Sequence, residues 1–108
     1  MPSPSYSPFP SKNQEILTNI GMNVRRIRKA KGLTVTALAD KSGISRQTLH
    51  KIENGGGNIK VSKIYELSEA LDVTPAHILE DPEKLPINDI AKEWRRKQRE
   101  LEQAQSDK

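Results

Sequence analysis

The stretch that decides the fold is residues 33–55, LTVTALADKSGISRQTLHKIENG. Thr34 can cap a short helix, and Gly43 is predicted to end it because glycine takes the left-handed conformation of a helix end without steric cost. Ile44 then fills the turn, and Ser45 can cap a second short helix. The pattern predicts two helices joined by a tight turn.

The second of these helices has one apolar face and one polar face. Leu49 and Ile52 lie three residues apart and are predicted to be buried. The polar side chains that then point away from the core are Arg46, Gln47, His50 and Lys51. Arginine and glutamine form paired hydrogen bonds with guanine and adenine edges, and a helix-turn-helix places the first residues of its second helix in the DNA major groove. We therefore predict that Arg46 and Gln47 contact bases.

The helix pair and its surroundings resemble the phage repressor and Cro-like family of bacterial transcriptional regulators, often called the XRE type. The similarity is carried by linked motifs in one order, which are KGLT at 31–34, LAxKSGIS at 38–45, TLxKIENG at 48–55 and IYELSEALDVTPAHIL at 64–79. The resemblance implies an all-α fold, with a five-helix repressor-like DNA-binding domain over residues 13–81. We expect a disordered Pro/Ser-rich tail at 1–12, and an amphipathic C-terminal helix and tail at 82–108.

The resemblance also implies roles for further residues of the second helix. Lys51 matches a third base contact, and His50 lies beside these positions, so it is included as a candidate base contact. Thr48 and Asn54 match phosphate contacts, and Ser45 combines its capping role with a phosphate contact.

Two positions depart from the family pattern. Val35 stands where the family usually has a glutamine that bonds a phosphate, and Thr36 is the candidate to replace that contact. Ile59 and Lys60 stand where the family often has Pro-Ser. The next helix is therefore predicted to lose its usual cap, and Lys60 becomes a candidate phosphate contact.

The net charge of +4 conceals an uneven distribution along the 108 residues. Residues 1–57 contain nine basic and three acidic residues, residues 58–85 contain three and six, and residues 86–108 contain six and five. Taken alone, these charges are explained by ordinary surface solvation. Combined with the helix-turn-helix, they favour a protein with one DNA-facing side.

Apolar residues recur at three- and four-residue spacing on both sides of the motif, which predicts further amphipathic helices. Before the motif, a helix capped by Ser11 or Asn13 would direct inward Ile16, Leu17, Ile20, Val24 and Ile27. After it, a helix at 61–71 would direct inward Val61, Ile64, Leu67, Ala70 and Leu71. Thr74 followed by Pro75 predicts the start of a short fifth helix, whose apolar residues are Ala76, Ile78 and Leu79.

A last helical segment is predicted over residues 87–103. Its apolar residues form a narrow heptad-like stripe of Ile87, Ile90, Trp94 and Leu101. The stripe is too thin to stabilise a lone helix and therefore needs a partner. We favour packing within a homodimer; the alternatives are docking on its own domain and binding a different protein.

Other chemistry has little support in the sequence. There are no cysteines, and His50 and His77 have no companions at ligand spacing, so neither a metal site nor a cofactor is expected. Ser42 and Ser45 lack the context of a nucleophile, so we expect no enzyme activity. No run of about 18 apolar residues suggests a membrane span. We expect a cytoplasmic, nucleoid-associated protein.

These features predict a sequence-specific regulator that binds double-stranded DNA, acting as a repressor on a palindromic operator as a homodimer. The main alternative is an antitoxin that autoregulates its operon and holds a toxin protein through residues 87–103. A third interpretation is a protein-bridging module that barely contacts DNA.

Overall fold

Residues 9–106, which this computed structural model describes, form six α-helices. Their bounds are α1 Phe9–Ala30, α2 Val35–Ser42, α3 Arg46–Glu53, α4 Val61–Leu71, α5 Pro75–Leu79 and α6 Ile87–Ser106. The predicted all-α fold, with five helices and a further C-terminal helix, is confirmed. In this part of the chain no helix is both long and apolar enough to cross a membrane.

The core is aliphatic and is built around α1, which packs against α3, α4, α5 and α6. Every helix contributes side chains to the core. Apolar residues of the connections between α1 and α2, between α2 and α3 and between α5 and α6 also pack into the core. The buried hydrophobic side chains are Ile20, Val24, Ile27, Leu38, Ile44, Leu49, Ile52, Ile64, Leu67, Leu71, Ile78, Leu85 and Ile90. Of these, Leu85 was not anticipated, because it lies between two prolines rather than in a periodic helix.

The start of α1 differs from the prediction. The helix begins at Phe9, so the predicted disordered tail is wrong for residues 9–12, while residues 1–8 lie outside the described residues. Pro10 is compatible with this start, because proline in the first turn has no N–H to leave unpaired. Positions 11 and 13 consequently lie inside the helix rather than at its start, where Ser11 or Asn13 was predicted to lie.

Two apolar residues that were predicted to point inward, Ile16 and Val61, are exposed, and so is the apolar Leu79 of α5. Ile16 lies one helical turn before the buried Ile20, on the same face of α1. It is nevertheless 54% exposed. Val61 in the first turn of α4 is 68% exposed, and Leu79 at the end of α5 is 54% exposed. Helical periodicity predicts which face of a helix carries a side chain. It does not predict whether another helix packs against that side chain.

Two positions on α1 allow the close approach of other helices. A Cβ at Gly21 would overlap the carbonyl oxygen of Ile52, so glycine is needed where α1 crosses the end of α3. Two residues later, the buried Asn23 donates from Nδ2 to the carbonyl oxygens of Ile78 at 3.0 Å and Glu80 at 2.6 Å. These bonds satisfy carbonyls at the end of α5 and hold it against α1.

The first half of α6 docks on its own domain. Ile90 is 7% exposed within the core, and the Trp94 ring lies against Gly32. The predicted role in a partner contact is therefore wrong for Ile90, because its side chain is already covered. Leu101, in the second half of the helix, is 57% exposed. Residues 87–94 thus follow the alternative prediction, in which the last helix docks on its own domain. Ile87 is also partly buried against the core.

An ion pair reinforces this docking, since Lys97 Nζ lies 2.9 Å from Asp72 Oδ2. The Lys97 hydrogen bond lowers the pKa of Asp72 and raises that of Lys97. On the other side of the same turn, Lys31 Nζ donates to the Asp72 carbonyl oxygen at 3.0 Å. Burial lowers the pKa of Lys31. The turn after α4 is thereby connected to both α1 and α6.

Replacing Asp72 with asparagine is expected to remove a small, pH-dependent part of the stability. A carboxyl group whose pKa is lowered by folding stabilises the protein above its unfolded pKa of about 3.8, and this contribution disappears as the pH falls through the folded value. Asparagine tolerates the left-handed backbone at this position (φ 55°). The effect is small because both groups are exposed.

Urea unfolding at several pH values measures this effect. The wild type should be the more stable protein near neutral pH, and the stabilities of the two proteins should converge as the pH falls below 3.8 and through the lower folded pKa of Asp72. A stability difference that persists undiminished in acid would show that the substitution acts through the backbone rather than through the charge.

Candidate nucleic-acid interface

The α2–turn–α3 unit is built by local capping, as predicted. Thr34 Oγ1 accepts a hydrogen bond from the amide three residues later at 3.0 Å, and Ser45 Oγ does the same at 3.1 Å. Gly43 has the left-handed φ of 74° that turns the chain between the helices. Ile44 is 2% exposed and fills the turn. The start of α3 is therefore held in one orientation by groups within the motif.

The polar face of α3 is presented to solvent. Leu49 and Ile52 are buried, which orients the helix and confirms their predicted burial. The four candidate base contacts are all exposed, and they are Arg46, Gln47, His50 and Lys51. Within residues 9–106, neither the Arg46 nor the Gln47 side chain donates a hydrogen bond to another protein group. Both are consequently available for an external partner.

The candidate phosphate contacts occupy two regions around α3. Thr36, Ser45 and Arg46 line one surface groove between α2 and α3. Asn54 is exposed at the end of α3, and Lys60 is exposed at the start of α4. Lys60 makes no side-chain cap bond, so the predicted loss of the cap is confirmed.

Thr48 occupies a specific position in this arrangement. Its hydroxyl oxygen accepts a hydrogen bond from the Ser45 hydroxyl at 2.9 Å, while Ser45 Oγ accepts from the Thr48 amide. A hydroxyl that accepts one bond still has its own hydrogen to donate. Thr48 can therefore donate to a phosphate oxygen while remaining part of the cap.

The glycine-rich loop after α3 packs back on that helix. The Gly56 amide donates to the Lys51 carbonyl oxygen at 2.9 Å, and the aliphatic part of the Lys51 side chain lies along Gly56 and Gly57. From α1, Gln14 Nε2 donates to the Gly55 carbonyl oxygen at 3.0 Å. Lys51 thus keeps its ammonium group exposed while its stem is partly covered.

A buried ion pair holds the far end of α3, and sequence reasoning missed it. Arg28 binds Glu53 through two hydrogen bonds, at 2.7 Å from Nε and 3.0 Å from Nη2. A third bond runs from Arg28 Nη1 to the Leu33 carbonyl oxygen at 2.9 Å. The two side chains are only 10% and 6% exposed. The pair therefore joins α1, the α1–α2 turn and the end of α3.

Within residues 9–106, no three or more His, Asp or Glu side chains are grouped where they could hold a metal ion. The arrangement at α2 and α3 consists instead of exposed hydrogen-bond donors and cations on a rigid support. Such a surface suits a polyanion with hydrogen-bonding base edges.

Known proteins that are similar to this chain agree with a nucleic-acid interface. The sequence profile of the helix-turn-helix family matches residues 24–78. The chain is 36% identical over 68 residues to the uncharacterized HTH-type transcriptional regulator y4dJ of Sinorhizobium fredii, covering 63% of this chain and 88% of that protein. It is 43% identical over 58 residues to the uncharacterized HTH-type transcriptional regulator RghRB of Bacillus subtilis, covering 53% of this chain.

A solved structure is also similar. The restriction-modification controller protein C.AhdI from Aeromonas hydrophila matches with a TM-score of 0.56 and 35% identity, over 57% of this chain and 94% of that one. The chain spans 88% of the length of y4dJ but only 42% of the length of RghRB. The matched lengths are 68 residues for y4dJ and 58 residues for RghRB, and the family profile covers residues 24–78.

Proposed function

The chain belongs to the XRE-type helix-turn-helix family of DNA-binding transcriptional regulators, and from this premise we propose that it is a repressor that occupies a palindromic operator as a homodimer. One observation carries the proposal. The N-terminus of α3 is capped and anchored, and it presents Arg46 and Gln47 outward without internal partners. Such a helix can enter the major groove as it stands.

Base recognition is assigned to the exposed face of α3. Arg46 and Gln47 supply the paired donors and acceptors that distinguish guanine and adenine, and each good pair contributes roughly 1–3 kcal/mol of discrimination. Lys51 and His50 extend this face by one turn. The buried Leu49 and Ile52 carry no part of the recognition, because they fix the helix from behind.

Affinity without specificity is assigned to the flanking polar groups. Contacts to phosphate oxygens orient a protein on the duplex but carry no base information. The residues proposed for these contacts are Thr36, Thr48, Asn54 and Lys60, and Ser45, whose hydroxyl hydrogen is donated to Thr48, would contact a phosphate oxygen only in place of that bond. Because they lie near both ends of α3, these contacts would hold the whole helix in the groove.

A homodimer follows from the size of the reading surface. One module of this type contacts only a few base pairs, and two half-sites about one helical turn apart give a site of useful length. Repression needs no further surface, since a dimer that overlaps a promoter blocks transcription by occupancy. The relatives described above are named as regulators or a controller protein.

The antitoxin alternative loses the feature that favoured it. That interpretation required the stripe of Ile87, Ile90, Trp94 and Leu101 to be free for a toxin protein. Ile90 is in the core, Trp94 lies against Gly32, and Ile87 is partly buried. Among the four residues, only Leu101 is mostly exposed to solvent.

Selection from a random DNA library, followed by affinity measurements at several salt concentrations, tests the proposal. We expect a two-fold symmetric consensus with half-site centres about 34 Å apart. A consensus with a single half-site would contradict the homodimer. Weak binding that depends steeply on salt, without any enriched sequence, would contradict operator recognition altogether. A promoter reporter carrying the selected site should lose transcription, and a gain would contradict repression.

A further inference from the structure

A surface cavity of about 380 Å³ lies where α6 meets the rest of the domain. Its wall is formed by Lys31 directly after α1, by the turn between α4 and α5, by His77 of α5 and by α6. A volume of this size is typical of small-molecule sites in proteins. No residue of α3 lines this cavity, so it is separate from the candidate DNA interface.

Lys31 contributes a buried cation to the wall of the cavity. The residue is only 8% exposed, although its ammonium group forms no ion pair within residues 9–106. The group donates one hydrogen bond, to the Asp72 carbonyl oxygen at 3.0 Å. An ammonium group has three hydrogens, so two remain for another acceptor. Because a buried charge without a counter-charge is costly, an anion in the cavity would bind there favourably.

The carboxylates near Lys31 lie beside other cations. Asp72 Oδ2 is 2.9 Å from Lys97 Nζ, and Glu93 Oε1 is 3.9 Å from Arg96 Nη2. The Glu93 side chain is also 60% exposed, so solvent screens its charge. The Lys31 ammonium is therefore the buried charge of the cavity that lacks a counter-ion among the described residues.

His77 adds a second polar atom without a partner. Its Nδ1 atom is buried and makes no hydrogen bond within residues 9–106. Buried polar atoms in proteins nearly always have a partner. An imidazole nitrogen donates or accepts according to its tautomer, so Nδ1 can bind an oxygen of either kind. The residues around the cavity thus provide two polar groups that a ligand can satisfy.

The apolar part of the wall favours a flat hydrocarbon group. Val73, Ile90 and Trp94 line the cavity. One edge of the Trp94 ring is fixed by its contact with Gly32, and Ile90 is held in the core. Aromatic rings pack well against a fixed tryptophan in offset or edge-to-face geometry.

We propose that this cavity binds a small aromatic carboxylate, whose carboxylate group lies at Lys31 Nζ and whose ring packs against Trp94. Such a ligand contacts the end of α1, the α4–α5 turn and α6 at the same time. Binding therefore strengthens the docking of α6 on the domain. The inference is independent of the proposed operator function, because α3 takes no part in the site and no DNA is needed to test it.

Titration of the full chain with phenylacetate tests the site. Trp94 is the only tryptophan of the sequence, so its fluorescence reports directly on the cavity. We expect a saturable change with phenylacetate, and binding weaker by at least roughly tenfold for phenylacetamide, which has nearly the same shape without the charge. Cyclohexylacetate keeps the charge but not the flat ring, and it should also bind more weakly.

Two results of this titration would overturn the proposal. Equal affinity for phenylacetate and phenylacetamide would show that no buried cation takes part. The absence of saturation with phenylacetate would show that the cavity holds only water, which can also satisfy the polar groups of Lys31 and His77.

Lys31→Met removes the cation while it keeps an unbranched side chain. Phenylacetate should then bind at least roughly tenfold more weakly, and phenylacetamide should bind as before. Lys29→Met is the matched control, because it makes the same change at an exposed lysine of α1, and it should alter neither affinity. Circular dichroism checks the fold, since Lys31 also holds the Asp72 carbonyl oxygen. Equal weakening of both ligands would overturn the charge contact.

Glu93→Gln gives an effect of the opposite sign without changing Lys31. Because it removes an exposed negative charge beside the cavity, we expect phenylacetate to bind more tightly, by up to roughly fivefold. A purely structural role of Lys31 predicts no such change. The matched control is Glu102→Gln, at an exposed position of α6 outside the cavity, and it should leave the affinity unchanged. Weaker or unchanged binding in Glu93→Gln would overturn the placement of the carboxylate beside Lys31.

Discussion

Replacing Arg46 and Gln47 together with alanine is expected to reduce discrimination between the selected operator and scrambled DNA by about 30-fold to about 20,000-fold. Two paired contacts of about 1–3 kcal/mol each give this range, at tenfold per about 1.4 kcal/mol. Both side chains are exposed and have no partners within residues 9–106, so their loss should leave the fold intact. The dissociation constants for both duplexes are measured at one fixed salt concentration.

The matched control is Arg99→Ala with Gln105→Ala on α6. It removes the same two residue types and the same charge from exposed positions. We expect it to leave the preference for the operator unchanged. If the Arg46/Gln47 variant instead loses affinity equally for both duplexes, these side chains contact phosphates, and bases are read elsewhere. The salt dependence of binding would then fall, because a cationic contact has been lost.

The residues that form the helix-turn-helix could be identified from the sequence because their interactions are local. Thr34 and Ser45 bond amides three residues away, and Gly43 needs only its own backbone conformation. The exposed face of α3 follows from the burial of Leu49 and Ile52 on the same helix. Each of these inferences uses neighbours that are fixed by chain connectivity.

The docking of α6 could not be predicted in the same way. A stripe of four apolar residues indicates that a partner is required, but it carries no information on which surface supplies it. The contact between Trp94 and Gly32 joins residues far apart in sequence and depends on where α1 ends. The exposure of Val61 has a different origin, because it lies four residues before the exposed Tyr65, on a face of α4 that is turned away from the core.

The buried pair of Arg28 and Glu53 was missed although the sequence contains a signal for it. Glu53 lies four residues after Leu49, on the buried face of α3. A carboxylate in that position requires a cation or several donors, since an unpaired buried charge is very costly. The second half of α1 carries five basic residues, which are Arg25, Arg26, Arg28, Lys29 and Lys31. The negative end of the helix dipole favours cations there, but it gives no reason for an arginine to be buried. Selecting Arg28 among five candidates needs the crossing of α1 and α3.

Replacing Glu53 with alanine is expected to lower the free energy of unfolding by about 3–5 kcal/mol, because it leaves the Arg28 guanidinium buried without its counter-charge. That loss is a large part of the roughly 5–15 kcal/mol that stabilises a typical domain. Chemical unfolding at neutral pH measures it. The control is Glu66→Ala, which breaks the more exposed pair with Lys63 at 3.5 Å and should cost at most about 1 kcal/mol.

The double variant Arg28→Met/Glu53→Leu separates the charge from the packing. Removing both charges should recover most of the lost stability, because apolar groups of similar volume often replace a buried pair without penalty. Specificity for the operator should also recover if the pair serves to hold α3 in place. A double variant as unstable as Glu53→Ala would mean that the three directed hydrogen bonds of Arg28, rather than charge neutralisation, fix the end of α3. In that case Arg28 orients Arg46 indirectly, because Arg28 fixes one end of the short, rigid helix α3 and Arg46 lies at the other end.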